Sequence, residues 1–138
     1  MRKLRSPAAG RTAGQIATIA FALAILGQIL LITGVLPIAW AWGGRQTELT
    51  PALQLGGLAA VIILALSAYV IRRRAGLVGG SSPGRLVIVL AWVITAFLFL
   101  NTLANFASPS LGEKLIFGPL ALIAALACLV AAWSRLTD

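Results

Sequence analysis

Four long apolar runs, separated by short patches that hold nearly all the charge, set the plan of this chain. The clearest runs from Leu86 to Phe106, LVIVLAWVITAFLFLNTLANF, and its first fifteen residues carry no polar side chain but Thr95. Asn101, Thr102 and Asn105 then arrive together near its end. Such a run predicts a transmembrane helix, because about 20 residues rising ~1.5 Å each cross a hydrocarbon core of about 30 Å.

The same pattern places three more spans. Ala13 to Leu36 is apolar except for Gln15, Thr18, Gln28 and Thr33. A basic start and Ala39-Trp40-Ala41 also fit a signal peptide and its cleavage site. The run of 24 residues is too long for that and favours a retained first helix. Thr50-Pro51 reads as a helix cap followed by proline in the first turn, opening a second span over 52–71. Ser82-Pro83 repeats that signature before the third span, 86–106. Ser110 and Glu113 have the spacing of a capping box before the fourth, 115–133. Pro119 inside it predicts a bend, or a short turn ahead of the main helix. The expectation is one all-α domain of four transmembrane helices in two hairpins.

Composition agrees. Of 138 residues 60% are hydrophobic and 10% charged, and the mean hydropathy is +1.01. A soluble domain of this size needs more polar surface. The net charge of +8 does not point to nucleic acid, since the basic residues flank the spans. With the N-terminus in the cytoplasm, Arg2, Lys3, Arg5, Arg11, Arg72, Arg73, Arg74, Arg85 and Arg135 fall inside, and only Arg45 and Lys114 outside. Nine against two predicts both termini in the cytoplasm of a bacterial plasma (inner) membrane. Arg72, Arg73, Arg74 and Arg85 are candidate contacts for anionic lipid.

The chain has no histidine and one cysteine, Cys128, in an apolar run. That excludes an intrachain disulfide and histidine-ligated metal or haem, and no cofactor is expected. The acids are Glu48, Glu113 and Asp138, and none lies within a span away from its ends. Coupled transporters usually place an ionisable group there. Glu48 and Glu113 would have to meet in one pocket for acid–base chemistry. Pairing of Glu48 with Arg45 and the capping box of Glu113 are plainer roles, and the chain is read as not an enzyme.

Depth singles out one polar set. Gln28 and Asn101 each lie fifteen residues from the inner start of their spans, ~22 Å along the helix. Gln54 opens the second span on the outer side, and Asn105 shares a face with Asn101. With Thr102 and Glu113 these form a candidate outer polar cluster. In one reading the amides bond each other, Asn101 to Gln28, and fix helix against helix at ~1 kcal/mol or less per bond. In the other they form a polar vestibule open to the outside. Small residues at Ala17, Ala20, Ala24 and Gly27, and at Ala121, Ala124, Ala125, Ala127, Ala131 and Ala132, suit close helix contact, within the bundle or in an oligomer.

The stretch 101–119 resembles small, uncharacterised bacterial four-helix membrane proteins. The shared features are Asn101-Thr102-Leu103-Ala104-Asn105, Ser110 to Lys114, and Gly118-Pro119. The resemblance implies topology and no activity. The leading expectation is a structural or accessory protein that associates with itself or a larger membrane complex. The alternative is a small transporter, channel or ligand- or lipid-binding protein that uses the outer polar set.

Overall fold

A computed structural model describes residues 6–80 and 82–134. Among the described residues there is no strand, and the α-helices are α1 Pro7–Ile32, α2 Pro51–Arg74, α3 Arg85–Ala107 and α4 Gly118–Trp133, with two short 3-10 turns, Ile38–Trp40 and Trp42–Gly44, between α1 and α2. A π-helical turn, Glu113–Phe117, leads into α4. Arg2, Lys3, Arg5, Arg135 and Asp138 lie outside the described residues. The first three helices, and the fourth counted with its π turn, are long and apolar enough to cross a membrane.

Local chemistry sets the helix ends. Ser6 Oγ accepts the Ala9 N–H at 3.2 Å, and Pro7 occupies the first turn of α1. This is the cap-then-proline signature again, and it starts α1 six residues before the apolar run. The helix stops at Ile32, short of the apolar limit at Leu36. Gly34 turns the chain out at φ +76°, a conformation that favours glycine. Thr50 caps α2 as its sequence predicts, with Oγ1 accepting the Leu53 N–H at 3.3 Å. Ser82-Pro83 does not cap α3: the capping residue is Gly84, which offers no side-chain acceptor, so Pro83 falls ahead of the cap rather than in the first turn.

The helices run up and down in a ring. Gly10 meets Ser134 and Gly27 meets Phe117, so α1 and α4 are antiparallel. Gly14 at the start of α1 likewise meets Ala75 at the end of α2. Helix α1 packs on α2 and α4, and α3 packs on α4, whereas the α2–α3 seam is the loosest between neighbours in the ring. The most apolar stretch of α2 is only 11% buried, against 44% for that of the fourth span.

The interior is built from small residues. Ala17, Ala125, Cys128 and Ala131 are fully enclosed, beside Phe21 and Leu98. The six alanines of α4 from Ala121 to Ala132 are all buried, so they serve the bundle. At Gly10 even a methyl group would come within 2.1 Å of Ser134 Oγ. Outside, Leu55, Leu58, Ile62, Leu66 and Leu103 are exposed. An apolar exterior around a small-residue core is the arrangement that lipid favours, since association there rests on close packing rather than on exclusion of water.

Candidate functional site

Of the two described acids, Glu48 is exposed in the α1–α2 loop and Glu113 is buried where α4 begins. Ser110 Oγ accepts the Glu113 N–H at 3.4 Å, which is half of the expected capping box. The reciprocal half is not made. The Ser110 N–H is taken by Ser108 Oγ at 3.1 Å, so the carboxylate has no local donor to return to. Glu113 Oε1 instead accepts the Gly43 N–H at 3.0 Å, from the opposite hairpin loop. Its other oxygen, Oε2, is buried without a hydrogen-bond partner.

Pro119 explains the π turn. A proline lacks an N–H, and its ring crowds the carbonyl four residues back. The wider turn lets the Gly118 N–H bond the Glu113 carbonyl, so that Pro119 enters the first turn of α4. It is the short turn ahead of the main helix that the sequence offers as one outcome. Glu113, Phe117, Ala121 and Ala124 then fall on one stripe of this segment, and all four line the same cavity.

A lid crosses the end of that cavity. Trp42 holds a left-handed conformation, φ +56°, which costs a residue with a Cβ about 1–2 kcal/mol. Its indole lies on α2 at Gly56, where a Cβ would come within 2.8 Å of the ring. Gly43 next to it binds Glu113. Gly44 lies against Ser110, and Gly112 against Trp40, each too close for a side chain. The loop thus reaches from α2 to the α3–α4 turn.

Beneath the lid the cavity has a volume of about 370 Å³. Its walls are Phe21 and Gln28 of α1, Ile63 and Leu64 of α2, Phe97, Leu98, Asn101 and Asn105 of α3, and the α4 stripe. Gln28 Oε1 is buried and, like Glu113 Oε2, has no hydrogen-bond partner. An unsatisfied buried acceptor costs about 1–3 kcal/mol, and more if charged. Ile63 and Phe97 line the cavity yet are 58% and 57% exposed, so its wall at the α2–α3 seam also faces outward. They lie ~18 Å and ~15 Å from the lid ends of their helices, near mid-membrane.

The structure brings together Gln28, Asn101, Asn105 and Glu113 of the expected cluster. No hydrogen bond joins Gln28 to Asn101. Gln54 and Thr102 are elsewhere: Gln54 Nε2 donates to the Ile32 carbonyl at 3.1 Å, closing the end of α1, and Thr102 Oγ1 donates to the Leu98 carbonyl at 2.8 Å. Glu48 does not line the cavity, and no ion pair ties it to Arg45. Trp42 reads from sequence as an interface anchor, and its part in the lid rests on a left-handed backbone that two following glycines only hint at.

The four arginines also separate. Arg74 is buried, and its Nη2 donates to the Ala132 and Ser134 carbonyls, both at 2.6 Å. Arg73 donates to the carbonyls of Val78, at 3.2 Å, and Gly79. Arg72 is half-buried and Arg85 exposed. Among the described residues no group of His, Cys, Asp and Glu is placed to hold a metal ion. Compared with protein-family models, curated proteins and solved structures, the chain matches none of them.

Proposed function

We propose that this multi-pass membrane protein binds an amphiphile, which enters the intrabundle cavity from the bilayer between α2 and α3. One observation carries the reading: two residues on the wall of one cavity, Gln28 and Glu113, each hold a buried oxygen without a donor. Pockets that bind small molecules combine apolar walls with a few converging polar groups. The wall at Ile63 and Phe97 faces the depth at which lipid chains lie, and the lid stands between the cavity and the loop end.

The membrane is a bacterial plasma membrane, with both termini in the cytoplasm and the lid outside. The nine-to-two division of basic residues supports this orientation. The proposed role is binding: among the described residues, no second titratable group lines the cavity with Glu113. A second reading is association with a second copy or a larger complex through helix faces. It draws on α2, whose apolar residues are the least covered.

A photoreactive decanol separates the two readings. In phosphatidylcholine vesicles it should crosslink saturably to Phe97, Leu98 and Ala121, and Ala124→Phe, which fills the cavity, should abolish the saturable part. Labelling confined to lipid-facing positions such as Leu58 and Leu66, with no saturation, would contradict the binding function and leave the second reading.

A further inference from the structure

Resting on that binding reading, we infer that the ligand carries a primary ammonium head on an aliphatic or aromatic body, and that Glu113 and Gln28 are its receptors. The two buried polar atoms without a partner on the cavity wall are both acceptors. Glu113 Oε2 and Gln28 Oε1 are acceptors without donors, and one of them belongs to the only acid among the described residues that the bundle buries. Among the described residues no lysine or arginine lines the cavity. An anionic head would therefore meet a carboxylate with no counter-charge. A hydroxyl head donates one hydrogen bond and leaves the second oxygen orphaned. An ammonium group donates three and brings the charge that a buried carboxylate lacks.

The remaining wall suits the body of such a molecule. Phe21, Phe97, Phe117 and Trp42 place aromatic rings around the cavity, and aromatic faces attract cations. A volume of 370 Å³ lies in the range of about 300–1,000 Å³ found for small-molecule pockets. Decylamine is a molecule of this kind. Asn101 and Asn105 sit on the α3 wall of the same cavity, and each amide carries both an oxygen acceptor and an NH2 donor.

The lid couples to the same carboxylate. Glu113 Oε1 holds the Gly43 N–H, and Gly43 follows the strained Trp42. An ammonium bound at Oε2 leaves Oε1 to the Gly43 N–H, so one carboxylate holds the head group and the lid together.

Competition against the photoreactive decanol tests the inference in phosphatidylcholine vesicles. The competitors are decylamine, decyltrimethylammonium, decanol and decanoate, on the unaltered protein, Glu113→Gln and Gln28→Leu. Comparing each competitor between proteins cancels its partition into the bilayer. Decylamine should compete best on the unaltered protein and lose about tenfold to a hundredfold with Glu113→Gln, as expected for a charge-assisted hydrogen bond. Decanol should be almost unaffected by that change, which also shows that the variant folds. Gln28→Leu should weaken decylamine but not decyltrimethylammonium, which has no N–H to donate. Saturable labelling with competition independent of head group, or of Glu113, would overturn the ammonium assignment and leave the cavity as a binding site. Loss of saturable labelling in the unaltered protein would overturn both.

Discussion

Replacing Arg74 by alanine should destabilise the bundle far more than replacing Arg72, two residues away. Arg74 is buried, and one nitrogen bridges the Ala132 and Ser134 carbonyls at 2.6 Å each. The last carbonyls of a helix have no partner within it, so this contact closes the end of α4 from the end of α2. A hydrogen bond to a charged group is worth about 1.5–3 kcal/mol. The two bonds share Nη2 and are not independent, so together they contribute about 3 kcal/mol. A cation at a helix C-terminus adds about 0.3–1 kcal/mol. Relief of the buried, unpartnered Nε offsets part of this. The net loss for Arg74→Ala is therefore about 3 kcal/mol. Arg72 is half-buried and makes no side-chain hydrogen bond, so Arg72→Ala should change stability by less than ~0.5 kcal/mol. Arg74→Lys should recover part of the loss, as a point charge without the planar fork. The assay is SDS-induced unfolding in mixed micelles, followed by helicity and by tryptophan emission. Trp133 reports on this end of α4, where its ring is 6.3 Å from that of Trp92. The two alanine variants remove the same charge. Equal losses would refute the reasoning and reduce Arg74 to a basic residue that only flanks a span.

The lid yields two further predictions. Gly43→Ala should cost about 1 kcal/mol from its φ of +80° alone, whereas Gly44→Ala should cost more, because its Cβ would also lie 2.8 Å from Ser110 Cβ. Equal losses in the same unfolding assay would show that the lid does not rest on Ser110. In a protein whose sole tryptophan is Trp42, Glu113→Ala should shift emission to the red and increase quenching by iodide, since the Gly43 tether is gone. Unchanged emission would mean that the contact with Gly56 holds the lid by itself.

The number of helices and their approximate limits were legible because each depends on a local signal. Length and apolarity give the spans, and Thr50-Pro51 gives the start of α2. The start of α1 was legible too, in Ser6-Pro7, but the apolar run obscured it because caps lie outside such runs. Four of the six residues of the polar set, which the sequence groups by depth along the helices, line one cavity. Depth does not give rotation, however, and rotation is what separates Asn101 on the cavity wall from Thr102 beside it. Glu113 shows the other limit. Its spacing from Ser110 encodes a capping box, and a competing bond from Ser108 redirects the carboxylate to Gly43, in a loop 70 residues away. The different roles of Arg72 and Arg74 depend in the same way on which face of α2 meets α4, and sequence periodicity in a uniformly apolar helix does not mark that face.

The most direct test of a cavity open to the bilayer is the accessibility of a nitroxide label at residue 101. Cys128 would be replaced by alanine, a single cysteine placed at Asn101, and relaxation measured with oxygen, which concentrates in lipid, and with a nickel chelate, which stays in water. Labels at Leu103, exposed on the lipid side, and at Val35, exposed in the loop beyond α1, supply the references. The account predicts oxygen accessibility at 101 approaching that at Leu103, and nickel accessibility far below that at Val35. High nickel accessibility would contradict it by showing a water-filled vestibule open past the lid, and low accessibility to both would show a closed core.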